Sequence, residues 1–205
     1  YRGAIECAAS IAFPAAVFTF AAAPAIVGTL LGAQWSEAAP ILRALAPCGL
    51  MMSLNAGTAW AYQSLGHTRR QLQWTIVGSG VAIAAIVAGL PWGALGVAIG
   101  LSTARVVMRP FGVLYCFRGT FLTSRDLVEP SWRPASAAIA AGIAAYLADP
   151  TQLSAPLRLV AQMSVFALVA LVAMASIPGG LARLRASRAI IASLRAPRME
   201  ATHAA

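Results

Sequence analysis

Apolar residues in this chain gather into six long stretches, at about 4–31, 38–65, 72–90, 94–117, 135–148 and 157–177. A helix needs about 20 consecutive apolar residues to cross the hydrocarbon of a bilayer. All the stretches except 135–148 reach or approach that length, and that one is Ala-rich and short for a crossing. The pattern predicts an all-α fold, a polytopic membrane bundle of six spanning helices over 1–180, followed by a tail at 181–205. Pro14, Pro24 and Pro47 fall inside the first two stretches. They predict kinks, because proline removes a backbone N–H that neighbouring helices must then compensate.

The breaks between stretches differ in charge. Gly32 to Glu37 is a short polar turn with Trp35 at the expected membrane interface, and Pro91 to Gly96 is a tight turn without charge. Residues 66–71 carry Arg69 and Arg70, and the longest polar connection, 118–134, carries Arg118, Arg125 and Arg133. Arg2 precedes the first stretch, Arg158 stands at the edge of the fifth connection, and five arginines lie in the tail. Arginine therefore concentrates in every second connection. Since positive residues mark the cytoplasmic side, both ends are expected there, which requires an even number of spans and supports counting the short fifth one.

Composition narrows the class. Hydrophobic residues make up 60% of the 205 residues and charged residues 10%, against about 25% charged in soluble domains. The mean hydropathy is +0.75. Fifteen basic residues against six acidic ones give a formal charge of +9, and every basic residue is Arg. These arginines flank apolar segments without an interleaved aromatic platform, so the charge reads as membrane topology and no nucleic-acid partner is expected. The tail places Leu184, Ile191 and Leu194 at helical spacing among Arg183, Arg185, Arg188 and Arg195, which suits either the anionic inner leaflet or a solvated tail. The first residue is Tyr1 and the first stretch lacks signal-peptide features, so the expectation is the C-terminal part of a longer protein.

Nothing supports enzyme chemistry or a cofactor. His67 and His203 have no Cys, His or carboxylate at ligand spacing, and a chain without Lys has no P-loop lysine. Cys7, Cys48 and Cys116 are isolated in apolar surroundings and read as small hydrophobes. The sharpest chemical signal is Arg105 with Arg109, four residues apart on one helix face, with Arg105 near the middle of its span. A charge at that depth needs a cavity or a partner. The pair suits a phosphate or pyrophosphate; otherwise Arg109 snorkels and Arg105 pairs with a carboxylate elsewhere. Glu6, near the cytoplasmic end of the first stretch, is either an ion-coupling site or an interfacial carboxylate. Arg43 reads as a snorkelling anchor near the opposite face.

Several segments, in order, resemble the C-terminal half of bacterial polysaccharide exporters, the O-antigen and exopolysaccharide flippases of the multidrug/oligosaccharidyl-lipid/polysaccharide exporter superfamily. The proline-containing span from Phe13-Pro14 to Gly32-Ala33-Gln34-Trp35, followed by Ala38-Ala39-Pro40-Ile41-Leu42-Arg43, is similar to that family's span ending in a Gly and aromatic turn. Ser64-Leu65-Gly66-His67-Thr68-Arg69-Arg70 resembles its cytoplasmic leucine, glycine, basic turn, and Pro91-Trp92-Gly93-Ala94-Leu95-Gly96-Val97-Ala98 its turn into the next helix. The likeness covers about residues 10–110. It implies half of a two-bundle transporter in the bacterial inner membrane, moving a polyprenyl-pyrophosphate-linked oligosaccharide between leaflets for surface polysaccharide synthesis. Implied partners are that lipid-linked substrate, membrane lipids, an N-terminal bundle and a polysaccharide polymerase. A drug or metabolite antiporter of the same superfamily would need membrane carboxylates, for which only Glu6 is available. A non-transporting scaffold subunit would not need Arg105 in mid-membrane.

The orientation is testable by thiol labelling in a Cys-free background. Ser36→Cys and Trp92→Cys are expected to react with an impermeant reagent applied outside the cell, and Thr68→Cys to remain protected. Outside labelling at position 68 reverses the topology.

Overall fold

The structure, a computed structural model, describes residues 2–64, 66–117, 124–150 and 152–176, and no strand occurs among them. Six α-helices follow one another: α1 (Arg2–Leu30), α2 (Ala38–Ser64), α3 (Thr68–Gly89), α4 (Gly93–Phe117), α5 (Ser124–Leu147) and α6 (Ala155–Ser176). Short 3-10 turns at Ala33–Trp35 and Leu90–Trp92 join the first and third pairs. Gly32, Gly66 and Gly93 take positive φ at the three chain reversals between α1 and α4, a conformation that residues with a Cβ rarely adopt.

Two boundaries depart from the sequence expectation. Arg69 and Arg70 belong to the first turn of α3 instead of a loop. The connection expected at 118–134 is helical from Ser124, so α5 starts eleven residues before the expected 135. Pro130 and Pro134 stand inside the helix, as Pro14, Pro24, Pro47 and Pro110 stand inside α1, α2 and α4. The basic tail from 181 onward lies outside the described residues.

Among the described residues, three helical stretches are long and apolar enough to cross a membrane: Ala8–Leu30, Thr68–Phe117 and Ala155–Ala173. The middle one covers 50 residues and contains the Leu90–Trp92 reversal, so it comprises both α3 and α4. α2 supplies a shorter apolar stretch, Ala38–Met52, below that length.

Side-chain sorting agrees with an apolar surrounding. The interior is built largely of small residues, with Ala21, Ala22, Ala23 and Ala25 of α1 and Ala137, Ala138, Ala141 and Ala145 of α5 all buried. Large apolar side chains point outward: Leu72, Ile76, Ile83 and Val87 of α3, and Leu157, Leu168, Leu171 and Val172 of α6, are each more than half exposed. In water this would leave an apolar patch far beyond what a soluble monomer carries. In lipid it costs nothing, and close helix approach through small residues becomes the main source of packing energy.

α1 is the organising helix, packing against α2, α5 and α6; α2 then packs on α4, and α4 on α3, which stands at the edge. Phe18 meets Phe166 edge-on at 5.3 Å within the α1–α5–α6 cluster. α3 and α4 close as an antiparallel hairpin so tightly that a methyl group on Gly89 would stand 2.6 Å from the carbonyl oxygen of Gly96. At the other end of α5, Asp149 and Arg158 form a two-point ion pair that ties the α5–α6 turn.

Gly89→Ala should therefore destabilise by about 1–3 kcal/mol, since the obstructing atoms are backbone and the hairpin must open. Gly80→Ala, with nothing within 4 Å of the new methyl, should be neutral or stabilise by up to about 1 kcal/mol through helix propensity. Thermal unfolding in detergent separates the two, and equal melting temperatures would refute the tight hairpin.

Candidate functional site in the cleft between α2, α3 and α4

A span of this kind offers few places for charge, so the arginines and their surroundings define where chemistry can occur. Arg105 is the thirteenth residue of the 25-residue α4, which puts it about 18 Å from either helix end. Arg109 follows one turn later on the same face. Both line a small recess of about 40 Å³, together with Met51 and Asn55 from α2 and Trp74, Gly78 and Ala82 from α3. The i, i+4 spacing thus brings both guanidinium groups to one cleft, as expected.

The two arginines are held differently. Nη1 of Arg109 donates to Oδ1 of Asn55 at 2.7 Å, a bond between helices that directs the side chain across the cleft. Arg105 is only partly exposed, and its Nε is buried without a hydrogen-bonding partner. A guanidinium donor left unpaired at this depth is costly, more so than a neutral group. It is the kind of donor that an anionic ligand, or a water carried with it, would satisfy.

An aromatic wall stands beside the arginines. The ring of Trp74 stacks on Tyr115 with centres 5.7 Å apart and planes inclined by 27°. Gly112 makes this possible, because a Cβ there would lie 2.8 Å from the indole nitrogen. Tyr115 donates its hydroxyl hydrogen to Oε1 of Gln73 at 3.0 Å. The cleft therefore combines two guanidinium groups, the side-chain amide of Asn55 and the indole of Trp74 on three neighbouring helices, with Tyr115 stacked on that indole.

Asn55, Gln73, Trp74 and Tyr115 were not singled out from the sequence. Asn55 carried a usable signal, being the only asparagine in the chain and lying inside an apolar stretch. Trp74 lines the cleft, and its stacking on Tyr115 and the bond of Tyr115 to Gln73 arise only through the α3–α4 register. Glu6 falls in α1, away from this cleft in sequence, and its side chain lies outside the described residues. Cys48 and Cys116 are buried, in line with their reading as small hydrophobes, and the side chain of Cys7 lies outside the described residues.

Arg43 departs from the simple snorkelling expectation. Its Nε donates to the carbonyl oxygen of Phe20 at 3.0 Å, and its guanidinium lies over the rings of Phe20, at 5.8 Å, and Tyr146, at 5.5 Å. The Phe20 carbonyl is the one whose helical partner would be the N–H of residue 24, and residue 24 is proline. Arg43 supplies the donor that Pro24 cannot.

No family model, curated protein or solved structure matches this chain. Its fold and this cleft are thus the basis for any functional reading.

The aromatic wall yields a coupling test. Gly112→Ala is expected to lower stability by about 1–3 kcal/mol by pushing the indole off its seat. In a Trp74→Ala background the same substitution should cost little, because the obstructing ring is gone. Additive penalties in this double-mutant cycle would show that Gly112 and Trp74 do not meet.

Proposed function

We propose that the chain crosses the bacterial inner membrane six times, with both ends cytoplasmic. In this reading it forms half of a transporter that moves a polyprenyl-pyrophosphate-linked oligosaccharide between leaflets. The observation that carries the proposal is the unpartnered Nε of Arg105, midway along α4, beside Arg109 in one recess. Two cationic forks at that depth fit a pyrophosphate, which presents several acceptor oxygens and delocalised negative charge. The amide of Asn55 and the indole of Trp74, which line the recess with the arginines, suit a sugar, which offers hydroxyls at its rim and C–H groups on its face. The small recess is then one wall of a larger cavity, closed by the partner bundle that the resemblance implies.

In such a transporter the substrate's charge is compensated by Arg105 and Arg109 while the lipid tail stays in hydrocarbon. Alternating exposure of the cleft to each side would move the headgroup without carrying a bare anion through the bilayer core. Arg109, tethered to Asn55, would act as the fixed contact, and Arg105 as the group that gains a partner on binding.

The test is the double substitution Arg105→Gln with Arg109→Gln in cells that make surface polysaccharide through this protein. Losing hydrogen bonds to a charged group, each worth about 1.5–3 kcal/mol, should reduce export roughly ten- to hundredfold or more. The amount of protein in the membrane should not change. Arg69→Gln, an exposed position in the first turn of α3, should export normally. Wild-type export by the double variant would defeat the proposal.

A further inference from the structure

A second feature stands apart from the cleft. Between α1, α2 and α5 lies a groove of about 470 Å³, lined almost wholly by apolar side chains, with Arg43 and Tyr146 at one end. Its volume is within the roughly 300–1,000 Å³ typical of ligand pockets. Ile139 and Ile143 on its wall are 51% and 56% exposed, so the groove opens sideways toward the surrounding medium.

Arg43 stands at a defined depth. The 27 residues of α2 make a helix about 40 Å long, close to the about 40–45 Å of a bilayer with its headgroup layers. Arg43 is the sixth residue of α2, about 8 Å from its start. That is the boundary between hydrocarbon and headgroups, the level of lipid phosphates. Tyr146, in the last turn of α5, sits at the same end, as interfacial tyrosines do.

The charge of Arg43 is only partly answered within the protein. Nε serves the Phe20 carbonyl, and the two rings face the cation. Among the described residues its terminal amino groups meet no hydrogen-bonding partner, and no carboxylate lines the groove. A guanidinium held in place by an α1 carbonyl and two rings, with two free amino groups above an apolar trough, is preorganised for a phosphodiester with a tail.

We propose that this groove is a binding site for an anionic phospholipid, with the phosphate on Arg43 and one acyl chain along Ala46, Ile139 and Ile143. The tail leaves one apolar environment for another and gains little by doing so. Selectivity therefore rests on the headgroup charge. The site shares no residue with the Arg105–Arg109 cleft, so it stands or falls independently of the transport reading.

The test uses the intact protein in a neutral detergent, with melting temperature followed against added phosphatidylglycerol, phosphatidylcholine of the same chains, or inorganic phosphate. Wild type should be stabilised saturably by phosphatidylglycerol, at concentrations about tenfold lower than phosphatidylcholine requires, as charge-assisted bonding implies. Arg43→Gln keeps an amide donor for the Phe20 carbonyl but removes the charge. It should melt near wild type without lipid and lose the tenfold preference, while Arg43→Lys keeps part of it. Ile143→Trp fills the groove from its exposed wall and should abolish saturable binding; if Arg43→Gln fails to fold, this variant decides. An undiminished preference in either Arg43→Gln or Ile143→Trp overturns the proposal. So does an equal wild-type response to both lipids, which marks a non-selective lipid shell, or a full response to phosphate alone, which marks a free-anion site.

Discussion

Inside an apolar medium no water is at hand to bond a backbone group that a helix leaves unpaired, and much of this structure answers that one demand. Proline creates the largest debt, because it withdraws an N–H from the middle of a helix. Arg43 meets it at the Phe20 carbonyl opposite Pro24, joining α2 to α1 by a bond that neither helix could make alone. Ser102 of α4 donates to the Ala44 carbonyl, next to the break caused by Pro47. Gln162 of α6, almost wholly buried, reaches toward the Ala145 carbonyl near the C-terminal end of α5 at a long 3.5 Å. Thr19, Thr29, Thr75, Ser164 and Ser176 each return their hydroxyl to the carbonyl four residues back, so that they can sit in hydrocarbon without a partner helix.

These bonds explain the order of packing. α1 has two prolines and a run of buried alanines, so it is weak alone and finds neighbours on several sides. α3 has neither feature, and one main neighbour is enough for it. The polar cleft forms where this peripheral hairpin meets α2. Its arginines are therefore close to the edge of the helical array.

Much of the helical framework was legible in the sequence because its signal is length: apolar runs bounded by Gly, Pro or Arg give the ends of α1, α2, α4 and α6 within a few residues. The start of α5 was not legible, since the charged residues Arg118, Arg125, Asp126, Glu129 and Arg133 make 118–134 read as a polar connection. The common face of Arg105 and Arg109 followed from helical spacing alone. What lay opposite them did not, because Asn55 is 54 residues from Arg109, and only the packing of α2 on α4 decides that they meet. The role of Arg43 was hidden for a similar reason. Its partner is a main-chain atom 23 residues away, exposed by a proline on another helix.

The glycine-sealed hairpin of α3 and α4 also bears on how such a chain gets into a bilayer. Its reversal at Leu90–Trp92 carries no charged side chain, so moving it through hydrocarbon requires no ion to be stripped of water. Gly89, Gly96 and Gly100 let the two helices close on each other along their backbones. A newly made pair can thus fold back on itself and insert as one unit, and the arginines of α4 then enter the hydrocarbon already facing a neighbour.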